Sequence, residues 1–234
     1  MALPKLNDTP KYELEIPSTG SVISYRPYLV KEEKILLMAF ESQDQKQAMR
    51  AMVDTVVACV YEDINPQSLT TFDVEYMFLQ IRSKSVGETS TIGVKCSDCE
   101  HQNEVVVPVG DIKIPKSDVS KLIELTPEIS IEMTYPKFNE VVDGYEEGKQ
   151  ESRFAFELIE KSIGAIITPD ERINTNEVKP TEVKEFVESM TTAQLSMVSD
   201  FVEQMPTLKH DIEFKCSNCS SDNKQELRGV ADFF

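Results

Sequence analysis

Tryptophan is absent from this chain of 234 residues, which also contains only eight glycines and two histidines. No glycine-rich run precedes a Lys–Ser or Lys–Thr pair, so a phosphate-binding loop is not expected. The chain has neither a Gly-x-Ser-x-Gly elbow nor a His-Glu-x-x-His motif, the signatures of two large hydrolase classes. We find no constellation of residues that would support catalysis and predict that the protein is not an enzyme.

Long apolar runs are missing as well. None approaches the length of roughly 20 residues that a membrane-spanning helix needs. Residues 1–5 resemble neither a signal peptide nor a transit peptide, so we expect the protein to stay in the compartment where it is made. That compartment is expected to be reducing, which disfavours disulfide bonds.

Basic residues are scarce relative to acidic ones. The chain has 24 lysines and arginines against 41 aspartates and glutamates, a formal net charge of −17. Such a surface repels the phosphates of nucleic acids and of anionic membranes. We therefore expect neither nucleic acid nor a membrane among the partners.

Only five cysteines are present, but four of them form two Cys-x-x-Cys pairs: Cys96, Cys99, Cys216 and Cys219. The flanking residues match, as Val-Lys-Cys-Ser-Asp-Cys and Phe-Lys-Cys-Ser-Asn-Cys. Four thiolates in two such pairs are the ligand set of a structural, tetrahedral Zn²⁺ site. A strand-like run leads into each pair and another leads out. The pattern predicts two zinc knuckles on β-hairpins that close into one ribbon around a structural Zn²⁺.

The spacing between the pairs leaves other readings open. About 116 residues separate them, far more than in an ordinary zinc ribbon, which indicates an inserted segment. A disulfide within each pair is one alternative, and a thioredoxin-type redox pair is another. A catalytic zinc is disfavoured, because four thiolates leave no coordination position for water.

Periodicity and turn residues predict an α+β fold with an N-terminal β-hairpin over residues 12–30. A helix over residues 31–41 would turn Ile35, Leu36, Met38 and Ala39 inward. Residues 128–135 alternate as a half-buried strand, and residues 168–180 are expected to be an exposed loop. Further helix starts are predicted from capping boxes. These are Ser42/Gln45, Thr70/Asp73 and Thr191/Gln194.

The elements suggest a division of the chain. Residues 1–88 would form the N-terminal hairpin with a helical bundle. Residues 89–110 and 207–230 would form one unit of two knuckles, although they are distant in sequence. Residues 111–206 would be a mixed, mostly helical insertion.

The N-terminal third carries a resemblance. Residues 3–6 read Leu-Pro-Lys-Leu, residues 17–20 read Pro-Ser-Thr-Gly, and residues 25–39 read Tyr-Arg-Pro-Tyr-Leu-Val-Lys-Glu-Glu-Lys-Ile-Leu-Leu-Met-Ala. With the paired knuckles, these segments resemble the baseplate hub assembly proteins of T-even-like contractile-tailed phages. Residues 112–205 match that family only in the order of their elements.

The resemblance implies a non-enzymatic role in building the hub of a phage tail baseplate, as a hub subunit or as a hub assembly chaperone. The partners would be other baseplate hub proteins. The protein would act in the cytoplasm of the host bacterium during assembly, or reside in the tail baseplate of the virion. A nucleic-acid-binding zinc ribbon and an unrelated zinc-stapled interaction protein remain as alternatives.

Four residues are candidates for partner binding: Arg26, Tyr28, Phe233 and Phe234. Arg26 and Tyr28 combine charged and aromatic groups in the segment that carries the resemblance. The alternative for this segment is that its aromatics pin the hairpin to the first helix. The two terminal phenylalanines are either docked on the core or presented to a partner.

Overall fold

A computed structural model describes residues 9–115, 119–145 and 150–233. It confirms the α+β class, with helices and four small antiparallel sheets among these residues. The chain divides into two compact units, one formed by residues 1–115 and 207–234 and the other by residues 116–206. The two cysteine pairs therefore belong to the same unit, although the whole second unit lies between them in sequence.

The first unit begins with a short hairpin. Strand β1 (Tyr12–Glu15) pairs antiparallel with β2 (Val22–Tyr25). Gly20 lies in the connecting turn at a φ of 72°, a left-handed conformation that glycine adopts without strain. Leu14 and Ile23 face each other across the strands and are both buried, which fixes the face that packs inward.

Three helices follow: α1 (Val30–Glu41), α2 (Gln45–Cys59) and α3 (Thr71–Ser85). The Thr70/Asp73 capping box at the start of α3 is confirmed. The expected box at Ser42 is wrong, because Asp44 caps α2 instead and accepts a hydrogen bond from the backbone N–H of Gln47. Ser42 instead ends α1. Apolar residues are buried around α3 from Phe72 to Ile81, so this helix lies at the centre of the unit.

The two cysteine-bearing hairpins complete the unit. Strands β3 (Ser90–Lys95) and β4 (Gln102–Val107) form the first, and β9 (Lys209–Lys215) and β10 (Asp222–Arg228) form the second. Their inward residues share one hydrophobic core with α3. Its members include Leu79, Ile92, Val94, Val107, Leu208, Ile212, Leu227 and Phe233. The hairpins are hydrogen-bonded as two separate two-stranded sheets and not as one continuous ribbon.

The second unit is built around a four-stranded antiparallel sheet in the order β5-β6-β7-β8. Its strands are Leu122–Thr126, Ile129–Met133, Ile163–Ile167 and Arg172–Asn174. Its helices are α4 (Phe138–Gly144), α5 (Glu151–Ser162), α6 (Pro180–Glu188) and α7 (Thr192–Glu203). The sequence indicated the strand at Ile129–Met133, but the expected loop at 168–180 contains β8 and a short 3₁₀ turn. No helix in the described part of the chain is long and apolar enough to cross a membrane.

Candidate metal centre

The same cysteine turn is built twice. In the first hairpin, the backbone N–H of Cys96 donates to the carbonyl of His101 at 2.9 Å, and Glu100 donates to the carbonyl of Cys96 at 3.0 Å. In the second hairpin, Cys216 and Ser220 make the equivalent bonds at the same two distances. Glu100 and Ser220 both take a positive φ, 58° and 62°, which turns the chain back towards the return strand. Each turn thus brings both cysteines of a pair to one hairpin tip.

The four thiol sulfurs meet between the two tips. The Sγ atoms of Cys96, Cys99, Cys216 and Cys219 all lie within 4.8 Å of one another. Two separations across the hairpins are 3.6 Å each, from Cys96 to Cys219 and from Cys99 to Cys216. Tetrahedral Zn²⁺ with Zn–S bonds of about 2.3 Å places its sulfurs about 3.8 Å apart, so the cluster has the size of a zinc site.

The sulfurs are arranged as thiols and not as disulfides. All five cysteines are free, and the two 3.6 Å approaches across the hairpins are far longer than the S–S bond of about 2 Å in a disulfide. Cys59 lies apart, buried on α2 at 1% exposure, where burial raises the pKa of its thiol to about 11. The four clustered sulfurs could hold a metal ion, and Cys59 is a residue of the apolar core.

Hydrogen bonds favour the thiolate form at the first cysteine of each pair. The Ser221 hydroxyl lowers the pKa of Cys96 to about 5, and the backbone N–H of Cys219 lowers the pKa of Cys216. At Cys99 the backbone N–H of His101 favours the thiolate, but hydrogen bonding with the Cys219 and Cys216 thiols raises its pKa to about 11. Four thiolates this close would repel one another, and a bound cation would remove that repulsion.

Two buried asparagines cross between the hairpins. The side-chain oxygen of Asn223 accepts hydrogen bonds from the backbone and hydroxyl of Ser97, both at 2.9 Å, and its amide donates to Cys96 Sγ at 3.5 Å. Asn103 does the same in the opposite direction. It accepts from the backbone and hydroxyl of Ser217 at 2.8 and 3.0 Å and lies 3.8 Å from Cys216 Sγ. Each hairpin therefore supplies the amide that holds the other hairpin's turn.

The sequence contained a signal for these asparagines that motif reasoning missed. Both follow the second cysteine of their pair by four residues, in Cys-x-x-Cys-x-x-x-Asn. They are 6% and 7% exposed, and an asparagine so deeply buried needs hydrogen-bond partners. The repeated spacing marks them as part of the site.

The structure places three of the four candidate partner-binding residues in contacts within the chain. Arg26 pairs with Glu32 at 2.8 Å and also donates to the carbonyl of Ala58. Tyr28 is half-buried, and its backbone N–H donates to the Ser85 hydroxyl. Phe233 is fully buried in the core.

The backbone carbonyl of Phe233 accepts a hydrogen bond from the Ser90 hydroxyl at 2.7 Å. Phe233 is therefore docked on the core and not presented to solvent. Phe234 lies outside the described residues. Partner binding by these residues stays a prediction.

Comparison with known protein families gave a match. The model of the family described as T4 bacteriophage base plate protein matches residues 9–234, nearly the whole chain. Neither the curated proteins nor the solved structures provided a match. The match includes both units and both cysteine hairpins.

Proposed function

The chain belongs to the family of T4 bacteriophage base plate proteins, and from that premise we propose that it builds the central hub of a phage tail baseplate. It acts as a hub assembly chaperone or as a hub subunit, and it binds other hub proteins without catalysing a reaction. The observation that carries this proposal is the family match over residues 9–234. The resemblance of residues 25–39 to hub assembly proteins narrows the proposed role from the baseplate in general to its hub.

The proposal is tested by removing the chain from a phage that encodes it. We expect tails or baseplates that lack a completed hub, and recovery of hub proteins with the tagged chain from infected cells. The presence of the chain in purified virions would identify a hub subunit. Its absence from virions, combined with a hub defect, would identify a chaperone acting in the host cytoplasm. Complete hubs formed without the chain would overturn the proposal.

We further propose that the four clustered thiolates bind one structural Zn²⁺. The ion would tie together two hairpins separated by the second unit, and its binding free energy would stabilise the fold. Four protein ligands complete the tetrahedron, so no position remains for a reacting water. The net charge of −17 supports protein partners over nucleic acid or membranes.

Elemental analysis of protein purified without a chelator tests the zinc site. We expect one zinc per chain, and unfolding of the first unit when a chelator removes it. Cys96→Ser should lose the metal, whereas Cys59→Ala should retain it, since Cys59 lies outside the cluster. A folded chain without zinc, or equal metal contents in both variants, would contradict the proposal.

A further inference from the structure

Helix α1 leaves most of its apolar side chains in solvent. Its buried residues are Glu32, Leu36 and Ala39. The exposed apolar residues have large accessible fractions: Val30 77%, Ile35 55%, Leu37 56%, Met38 59% and Phe40 50%. The sequence pattern predicted that Ile35 and Met38 would point inward, and the structure turns them out. Five exposed apolar side chains on one helix make it a candidate interaction site.

Charged residues on α1 flank this surface in an ordered way. With 3.6 residues per turn, Val30, Lys34, Leu37 and Glu41 follow one another along the side of α1 opposite Leu36 and Ala39. Lys34 lies one turn before the apolar pair Leu37 and Met38, and Glu41 lies one turn after it. The row therefore reads basic, apolar, acidic along its length.

The exposed charges of α1 cancel. Lys31 and Lys34 balance Glu33 and Glu41, whereas the whole chain carries a net charge of −17. Repulsion between two copies of so acidic a chain is smallest where a locally neutral, apolar surface meets its own kind. That condition, and the order of charges along α1, argue for a second copy as the occupant of this face.

We propose that α1 is the interface of a homodimer in which the α1 helices of two copies pack antiparallel. The two-fold axis passes between Leu37 and Met38. An isologous contact of this kind places Lys34 opposite Glu41 of the second copy, and Glu41 opposite Lys34 of the second copy. The four residues at the centre are Leu37 and Met38 from each chain. The inference does not depend on the hub function or on the metal.

The test measures the molecular mass of the full-length chain by sedimentation equilibrium over a range of concentrations. Buffer near 0.15 M salt reduces long-range repulsion to distances of about 8 Å or less. We expect a reversible dimer. Leu37→Ala should weaken association, whereas Val106→Ala, which trims another exposed apolar side chain, should not.

Charge reversal distinguishes this pairing from any other occupant. Lys34→Glu alone and Glu41→Lys alone each place like charges opposite one another twice, and each should raise the dissociation constant about tenfold or more. The double variant Lys34→Glu/Glu41→Lys restores opposite charges across the interface and should recover the original constant. Lys113→Glu and Glu13→Lys, both at exposed positions off α1, are matched controls and should leave it unchanged.

A chain that is monomeric even at hundreds of micromolar would overturn the proposal. So would a dimer that is insensitive to the single reversals, or a double variant that fails to recover. Loss of hub-protein capture by the α1 variants in a monomeric chain would assign the face to a different protein and reject the second copy as its occupant.

Discussion

The two cysteine hairpins carry the same turn but differ in how many side chains they bury. The first is formed by Ser90–Lys95 and Gln102–Val107, and the second by Lys209–Lys215 and Asp222–Arg228. The first buries Ile92, Val94 and Val107, and the Ser90 hydroxyl bonds to the backbone near the end of the chain. The second buries only Ile212 and Leu227 at the equivalent positions, and its other strand residues are largely exposed. Both copies of the motif pack on the same core, but the second buries fewer strand side chains there and should depend more on the cysteine cluster.

The difference extends to the cysteines. Cys96 and Cys216 are both 2% exposed, but Cys99 is partly covered whereas Cys219 is exposed. Symmetry also breaks one position after the turn, where His101 corresponds to Ser221. The Ser221 hydroxyl lies 3.3 Å from Cys96 Sγ and 3.1 Å from Cys219 Sγ. The less buried hairpin thus contributes the extra hydrogen bond to the cluster.

Loss of the proposed zinc should have the largest effect and should affect the hairpins unequally. Cys96→Ser and Cys216→Ser are each expected to lower the free energy of unfolding by several kcal/mol, because structural zinc contributes directly to folding. Hydrogen exchange should show a greater loss of protection in the second hairpin, since fewer buried side chains hold it. Equal loss in both hairpins would mean that core packing does not distinguish them.

Removal of the crossing asparagines should come next. Asn103→Ala and Asn223→Ala each leave a backbone N–H in the opposite turn without its acceptor, at a cost of about 1–3 kcal/mol. Both variants should also bind zinc more weakly, which competition with a chelator measures. Asn174→Ala, at an asparagine in the second unit, is the control and should leave zinc affinity unchanged.

The stability of the chain should depend on pH through Glu75 of α3. Burial raises the pKa of Glu75 to about 7, and the backbone N–H of Val230 opposes that rise by favouring the carboxylate. Because the folded pKa exceeds the ordinary value of 4.5, the folded state binds the extra proton and stability falls as pH rises from about 4.5 to about 7.

Glu75→Gln should remove this dependence and stabilise the chain by about 1–2 kcal/mol at pH 8. Thermal melts at several pH values measure the effect. Glu185→Gln, on the exposed side of α6, serves as a comparison and should leave the pH profile unchanged. A parallel profile in Glu75→Gln and the unmodified chain would show that Glu75 is not the group responsible.

Surface ion pairs on the second hairpin should matter least. Lys224 bridges Asp211 at 3.4 Å and Glu213 at 3.8 Å, but its side chain is 62% exposed. Lys224→Ala should change stability by less than about 0.5 kcal/mol, and by still less at high salt. A larger loss would mean that the charged face, and not the cysteine cluster, compensates for the thin core of this hairpin.

Local signals in the sequence were dependable where local physics decided the outcome. The boxes at Thr70/Asp73 and Thr191/Gln194 each begin a helix, because side chain and backbone satisfy each other within one turn. At Ser42 two acceptors competed within three residues, and Asp44 is the one that accepts from Gln47. Strand β7 was missed because it pairs with residues of β6 that lie 30 or more positions away, and β8 was missed because its three residues join the sheet by pairing with β7.

The sequence alone singled out the four cysteines that the fold brings within 4.8 Å of one another, because two identically spaced thiol pairs with matched flanks are the ligand pattern of a structural zinc site. It also determined the α+β class and most helix starts, which depend on neighbouring residues. Tertiary structure decided which side of α1 faces solvent and that Asn103 and Asn223 are buried. It also decided how many buried side chains each hairpin has to stabilise it besides the cysteine cluster. Those outcomes depend on which distant residues occupy the space beside each side chain, and no local pattern contains that information.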